Sequence, residues 1–185
     1  MLRINFLLIL STILLVSACT SKSPPQVFEE NSHEAFLELA RNSNIELLFV
    51  GDSITDRWRN VGRPVWDKYF APLKAANFGI DGDNTQRVLW RMQNGELVGY
   101  KSKLIVLMIG TNNINSNSSV EIADGIRLIL LELKKHQPLS KVLLLGIFPR
   151  GLQASDPYRS SIHDINLKLA ALADDKQIFF LDIGS

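Results

Sequence analysis

Residues 45–55 read IELLFVGDSIT, an apolar run that ends at Gly51 and passes directly into a polar turn. An unbroken apolar run bounded by turn residues is typical of a parallel strand that is covered on both faces. A serine that follows such a strand and opens a helix has an exposed hydroxyl close to free backbone N–H groups. The stretch therefore predicts a buried strand and a turn that presents Ser53, although a simple helix N-cap would give the same pattern.

Four further apolar runs alternate with helical segments along the chain. Alternating strands and helices with right-handed crossovers build a parallel sheet between two helical layers. We therefore predict one three-layer α/β/α domain with a doubly wound, mainly parallel five-stranded sheet. The predicted helices are His33–Arg41, Thr85–Asn94, Val120–His136 and Tyr158–Asp174, and the strands after Ile45–Val50 are Ala75–Phe78, Leu104–Ile109, Val142–Ile147 and Ile178–Leu181.

Polar, glycine-bearing loops follow the first three predicted strands. The second loop contains GIDGDN over residues 79–84, and the third is GTNN over residues 110–113. Ligands of open parallel sheets bind beyond the carboxyl ends of the strands, so we expect these loops to share one site with Ser53. Backbone N–H groups around Gly82 and the side chain of Asn112 are suited to stabilise an anion there, while a capped turn is the alternative for each loop alone.

Together the three loops resemble the sequence blocks of GDSL (SGNH) hydrolases. GDSIT matches the nucleophile block, NFGIDGDNTQRVLWRM the glycine block and IGTNN the asparagine block, and ANFGIDGDNTQRVLWRMQNGEL with LLLGIFPRG is especially similar to platelet-activating-factor acetylhydrolase-like members. The resemblance runs from about His33 to the last residue and implies a flavodoxin-like fold. It also implies that Ser53 is the nucleophile and that the Ser53 N–H, the Gly82 N–H and the Asn112 side chain form an oxyanion hole.

The reaction implied by this resemblance is hydrolysis of a carboxylic ester, of the short-chain acetyl type, through an acyl-Ser53 intermediate. The partner would be a small-molecule ester, either a lipid or, for a carbohydrate O-acetylesterase, an acetylated sugar. A catalytically inactive surface binding protein on the same fold is a further alternative. We expect no cofactor and no metal, because the sequence has neither a His/Cys grouping with ligand spacing nor a phosphate-loop pattern.

Ser53 needs a base to be nucleophilic at neutral pH, and in the family this base is a histidine in a C-terminal D-x-x-H block. The sequence contains no D-x-x-H. His33 precedes the predicted core, His136 ends a helix and His163 lies inside one, so none is placed as the base. We therefore expect the 185-residue chain to be inactive as an esterase.

The N-terminus has the pattern of a secreted protein. Arg3 precedes an apolar run from Ile4 to Ala18, and the small residues before Cys19, the only cysteine, are typical of a cleavage site. As a helix this run would be about 22 Å long, which is short for a bilayer core of about 30 Å. We therefore predict a signal peptide over residues 1–18 in preference to a membrane-spanning helix.

Residues 16–19, VSAC, resemble the bacterial lipobox, in which the cysteine is acylated and becomes the new N-terminus. Two acyl chains anchor a protein stably in a membrane, so Cys19 is predicted to be the lipid anchor; a free cysteine is the alternative. Thr20, in place of Asp, resembles the pattern of outer-membrane sorting. The expected location is the bacterial cell envelope, at the outer membrane, facing the periplasm or the exterior.

These features divide the chain into a lipoprotein signal peptide, 1–18, a polar tether, 19–32, and the hydrolase domain, 33–185. We expect that domain to be truncated at its C-terminus, so that the strand Ile178–Leu181 exposes apolar surface. The composition, with 46% hydrophobic residues and a net charge of +1, is ordinary for a globular protein. No run of five basic residues occurs, so the sequence does not support nucleic-acid binding.

Overall fold

The computed structural model describes residues 27–184, which form a five-stranded sheet and the helices around it. The strand order is β2-β1-β3-β4-β5, and all four neighbouring pairs are parallel. The predicted α/β fold with a doubly wound five-stranded sheet is therefore confirmed, with each strand displaced by no more than a few residues. The strands are β1 Leu47–Gly51, β2 Ala75–Gly79, β3 Leu104–Met108, β4 Lys141–Leu145 and β5 Ile178–Leu181.

Six α-helices lie within the described residues, and single turns of 3-10 or π geometry adjoin several of them. The α-helices are α1 Val27–Asn42, α2 Ser53–Asp56, α3 Arg63–Val65, α4 Thr85–Arg91, α5 Ser119–His136 and α6 Pro157–Ala170. The 3-10 turns are Arg57–Arg59, Ala71–Leu73 and Thr111–Asn113, and the π turns are Trp66–Phe70 and Met92–Glu96.

Three helix ends differ from their predicted positions by three residues or more. α4 ends at Arg91 instead of Asn94 and passes into the π turn Met92–Glu96. α1 begins at Val27, six residues before His33, and so includes part of the stretch predicted to be a tether. α6 ends at Ala170, four residues before Asp174. The Asp174 carboxylate accepts hydrogen bonds from three backbone N–H groups at the start of β5, at 2.7–2.9 Å. An aspartate that binds nearby backbone N–H groups favours a turn over a helix, which explains the earlier end.

The two faces of the sheet are covered unequally. On one face, Leu48, Phe78 and Leu107 belong to a large core with the four longer helices, α1, α4, α5 and α6. The other face carries a small cluster around Phe49, on which Trp66 and residues near it pack. Burial of apolar side chains on the first face therefore contributes most of the hydrophobic stabilisation of the fold.

Strand β5 shows the same asymmetry. Ile178 and Phe180 pack against the large core, whereas Phe179 and Leu181 on the opposite face are 37% and 45% exposed. Phe179 and Leu181 thus expose apolar surface as expected, whereas Ile178 and Phe180 are half-buried against the core.

The predicted signal peptide over 1–18 and the predicted lipid anchor Cys19 lie outside the described residues and stay predictions. Between residues 27 and 184, no helix combines the length and the apolar character needed to cross a bilayer.

Helix α2 packs directly onto the end of β2 at Gly79. A Cβ atom on Gly79 would lie 2.4 Å from the Asp56 backbone nitrogen and 2.8 Å from the Thr55 carbonyl carbon. Asn77 fixes the same contact, because its Nδ2 donates to the Thr55 oxygen at 2.7 Å and its Oδ1 accepts from the Gly79 N–H at 2.9 Å. The position of α2, and hence of Ser53, depends on this close approach.

We predict that Gly79→Ala lowers the free energy of unfolding by about 1–3 kcal/mol, because the added methyl group meets backbone atoms that cannot rotate away. Urea denaturation measures the loss. Gly146→Ala is the matched control, since its Cβ would meet only side-chain atoms, the nearest at 3.0 Å. Equal losses for the two variants would contradict the role given to Gly79.

Candidate active site

The three loops singled out in the sequence start from the same edge of the sheet. Gly51 at the end of β1 pairs in register with Gly79 of β2 and with Met108 of β3. Ser53 follows the first of these strand ends, and Gly82 and Asn112 follow the other two within a few residues. The structure therefore places all three predicted site residues on adjoining loops at the carboxyl edge of the sheet.

Ser53 occupies the first position of helix α2 and is half-buried. Asp52 caps this helix, since its side chain accepts a hydrogen bond from the Ile54 N–H at 2.9 Å. Within residues 27–184, neither the Ser53 hydroxyl nor its backbone N–H has a hydrogen-bond partner. Both groups are therefore available to a bound molecule.

The carboxyl group of Asp52 lies directly beneath this turn and is only 1% exposed. Burial raises the pKa of Asp52 to about 6, and the charges of Asp83 and Asp81 raise it further, against the effect of the Ile54 N–H. A carboxyl group with this pKa is partly protonated in mildly acidic solution. Protonation of Asp52 removes one negative charge from the surroundings of Ser53.

The second loop turns sharply at Gly82. Asp83 donates its N–H to the Ile80 oxygen at 3.2 Å, and Gly82 has a φ of +78°, as in a type II turn. A Cβ on Gly82 would meet nothing within 4 Å, so the backbone conformation, and not a lack of room, favours glycine here. In the described part of the chain the Gly82 N–H has no acceptor, which leaves it free to bind a ligand.

Asn112 is held against this turn from the third loop. Its Nδ2 donates one N–H to the Asp83 oxygen at 2.8 Å, and an amide nitrogen carries a second N–H. The neighbouring Asn113 is buried and links the same two loops, because its Oδ1 accepts from the Thr85 N–H at 3.0 Å. Asn113 was not predicted to be a site residue, although it lies in the same GTNN stretch.

A buried ionic network, Asp83–Arg91–Glu96–His33, lies behind the second loop and was missed in the sequence. Arg91 binds one oxygen of Asp83 through Nε at 3.0 Å and Nη2 at 2.7 Å, and Nη2 also donates to the Phe78 oxygen at 3.1 Å. Its Nη1 pairs with Glu96, whose other oxygen lies 2.8 Å from His33 Nδ1. Burial raises the pKa of Glu96, while Arg91 and His33 act in the opposite direction.

One sequence signal could have revealed this network. Arg91 lies three residues after Val88 and directly before Met92, both of which face the core. A charged residue in the apolar stripe of a helix needs a buried partner of opposite charge. The stripe of α4 therefore predicts a buried acidic group near Arg91, but not which of the acidic residues supplies it.

Two of the three histidines have contacts with other side chains. His33 lies against Glu96 and against the ring of Trp90, with ring centroids 5.0 Å apart. His136 pairs with Glu132 at 2.9 Å, and His163 is exposed on α6. None of the three hydrogen-bonds to Ser53 in the described residues.

Chemically, this edge of the sheet presents a hydroxyl and three N–H groups that have no hydrogen-bond partner among residues 27–184. Such donors suit the negative charge that develops on a carbonyl oxygen under attack by a hydroxyl. Over residues 27–184, no three His, Cys, Asp or Glu side chains converge as a metal site would require.

Comparison with known proteins places this arrangement in context. Platelet-activating factor acetylhydrolase IB subunit alpha1 of Rattus norvegicus is 39% identical over 151 residues, which cover 81% of this chain and 63% of that protein. The chain thus spans less than two thirds of the length of this relative.

Two solved structures share the fold. One from Streptococcus pneumonia, described as a platelet activating factor, has a TM-score of 0.70 at 24% identity over 85% of this chain and 75% of its own. Axe2, an acetylxylan esterase from Geobacillus stearothermophilus, has a TM-score of 0.60 at 21% identity over 76% of each chain.

The model of the GDSL-like lipase/acylhydrolase family matches residues 49–185, which include all three loops at the carboxyl edge of the sheet. The match confirms the resemblance seen in the sequence blocks, and the chain therefore belongs to the GDSL-like lipase/acylhydrolase family.

Proposed function

We propose that this protein is a serine esterase that acts through an acyl intermediate on Ser53. The observation that carries the proposal is that the Ser53 hydroxyl, its own N–H, the Gly82 N–H and the second N–H of the Asn112 amide lie on adjoining loops at one edge of the sheet, without a hydrogen-bond partner among the described residues. Each such donor contributes about 3–4 kcal/mol to the stability of a transition state. Membership of an acylhydrolase family supports the same reaction.

The proposed reaction has two steps. The Ser53 oxygen attacks the ester carbonyl carbon, the carbonyl oxygen becomes negative, and the three donors stabilise it. The carbonyl re-forms as the carbon–oxygen bond to the alcohol breaks, and the alcohol leaves with the proton from Ser53. Water then attacks the acyl-serine in the same way, which releases the acid and restores the hydroxyl.

We propose a short acyl group of the acetyl type. A lipid ester is the first candidate for the substrate, because the Rattus relative is named an acetylhydrolase of platelet-activating factor. An acetylated sugar is the second candidate, because the fold is shared with an acetylxylan esterase. With imidazole added as an external base, acetate release from an acetylated glycerophospholipid and from acetylated xylo-oligosaccharides separates the two, and release from neither would favour a binding protein.

The proposed chemistry needs a base for Ser53, and none of the three histidines hydrogen-bonds to Ser53 in the part of the chain that the structure describes. We therefore propose that the 185-residue chain has little esterase activity by itself. Removal of the triad base in comparable enzymes leaves a residual acceleration of about 10³–10⁴ over water.

We predict that an alkyl fluorophosphonate probe labels the 185-residue chain at Ser53, slowly, and that added imidazole accelerates the labelling because it supplies the missing base. Peptide mass mapping identifies the labelled residue, and Ser53→Ala is the control. A label on another serine would exclude Ser53 as the nucleophile. Fast labelling without imidazole would show that a base is already present.

A second prediction concerns Asn112. In the imidazole-assisted reaction, Asn112→Ala should lower the labelling rate at saturating probe by about 10²–10³-fold, with little change in the half-saturating concentration, since its amide acts in the transition state. Asn115→Ala, on the same loop and exposed, is the matched control. Equal rates for native protein and Asn112→Ala would mean that Asn112 only closes the turn.

We further propose that Cys19 is acylated and that the protein resides in the bacterial envelope, at the outer membrane. Cys19→Ser should move the protein from the membrane fraction to the soluble fraction, because the two acyl chains supply the anchoring energy. Thr20→Asp should keep the acyl group but move the protein to the inner membrane. Cell fractionation with labelled palmitate measures both, and a membrane-bound Cys19→Ser without label would contradict acylation.

A further inference from the structure

We infer that the buried ionic network Asp83–Arg91–Glu96–His33 positions two of the three oxyanion donors, the Gly82 N–H and the Asn112 amide. Arg91 is accordingly a positioning residue of the site. The catalytic consequence rests on the proposed function. The structural part, that Arg91 fixes the turn at Gly82, is tested separately below.

The first step of the argument is the burial of the network. The side chains of Arg91, Asp83 and Glu96 are 4%, 1% and 0% exposed. Buried ion pairs lose much of their attraction to the cost of removing charges from water, and apolar side chains of similar size often stabilise a fold as well or better. Stability alone is therefore a weak reason for three buried charges at this place.

The second step is the geometry of the guanidinium group. Arg91 donates two hydrogen bonds to the Asp83 carboxylate and one to the Phe78 oxygen, so it holds both ends of the segment 78–83. Gly82 lies inside that segment. Because the guanidinium is planar and its N–H groups are fixed in direction, it sets the relative position of these two ends as a lysine could not.

The third step links the network to Asn112. The Asp83 carboxylate is bound by Arg91, and the Asp83 backbone oxygen accepts from Asn112 Nδ2 at 2.8 Å. One residue, Asp83, thus connects the guanidinium to the donor of the third loop and adjoins the donor of the second. A displacement of Asp83 would move the Gly82 N–H and the Asn112 amide together.

The far end of the network fixes Arg91 itself. Glu96 pairs with Nη1 of Arg91 and shares a hydrogen bond of 2.8 Å with His33 Nδ1 on α1. The Tyr100 hydroxyl donates to the Glu96 backbone oxygen at 3.0 Å, which holds the backbone of Glu96 in place. Helix α1 is in this way connected to the carboxyl edge of the sheet.

The test uses the 185-residue protein and the imidazole-assisted labelling of Ser53. We expect Arg91→Lys to lower the labelling rate at saturating probe by about 10–100-fold, as small displacements of catalytic groups do, with an unchanged half-saturating concentration. The double variant Arg91→Lys/Asn112→Ala should be slower than Asn112→Ala by a smaller factor than Arg91→Lys is slower than native protein, because only the Gly82 N–H is then left for Arg91 to position. Ile129→Val, a change to a buried side chain on α5, is the control for a general loss of stability.

His33→Phe keeps an aromatic ring against Trp90 but removes the hydrogen bond to Glu96. It should lower the labelling rate by a smaller factor than Arg91→Lys, and it takes the place of Arg91→Lys if that variant does not fold. A labelling rate lowered no more than in Ile129→Val would overturn the inference. So would a double variant whose rate is lowered by the full product of the two single factors.

A second readout does not depend on catalysis. In Arg91→Lys, or in His33→Phe, hydrogen exchange of the Asp83 amide should be about 10-fold faster than in native protein, while that of Leu107 in β3 stays the same. Unchanged exchange at Asp83 would overturn the inference even if Ser53 is labelled. If Ser53 is not labelled in native protein but the Asp83 amide exchanges faster in the variants, the proposed function is rejected and the positioning role of Arg91 is kept.

Discussion

The register of three neighbouring parallel strands is the constraint on which the rest of this structure depends. Backbone groups in a buried sheet must pair with one another, and a slip by one residue would turn every side chain to the opposite face. With Gly51 opposite both Gly79 and Met108, three loops leave the sheet at one level. The hydrogen bond from the Ile80 N–H to the Gly51 oxygen, 3.2 Å long, extends this alignment into the first two loops.

The same edge of the sheet carries several acidic side chains close to the place where an anion would form. The structure moderates this negative charge in two ways. Asp83 is paired with Arg91, and burial raises the pKa of Asp52 to about 6, so that Asp52 is partly neutral in mildly acidic solution. The charge of Asp83 also raises the pKa of Asp52, so the protonation of one residue depends on the charge of the other. The charges around Ser53 are therefore coupled, and none can be understood from its own neighbours alone.

Much of this architecture could be predicted from the sequence, for a physical reason. Parallel strands covered by helices are continuous apolar runs such as LIVLMI over 104–109, and helix α5 begins with a capping box at Ser118 and Glu121. Both signals are local. The loops that carry Ser53, Gly82 and Asn112 were found in the same way, because glycine and polar residues directly follow the apolar runs.

The features that were missed depend on partners distant in sequence. His33 and Glu96 are 63 residues apart, and no local pattern specifies that pairing. The segment around Trp66 combines short 3-10, α and π turns without a periodic apolar pattern, so its packing on Phe49 could not be predicted. The end of α6 was missed for a different, local reason, since the Asp174 side chain binds backbone N–H groups two to four residues later and favours a turn over a longer helix.

The unequal covering of the sheet has a thermodynamic consequence. The heat capacity of unfolding arises mainly from apolar surface that becomes hydrated, and Phe179 and Leu181 are already partly hydrated in the folded protein. Detachment of β5 hence carries a smaller heat-capacity change per residue than unfolding of the central strands. The free energy of detaching β5 and the free energy of unfolding the whole domain therefore depend on temperature with different curvature. The curve for β5 is closer to a straight line.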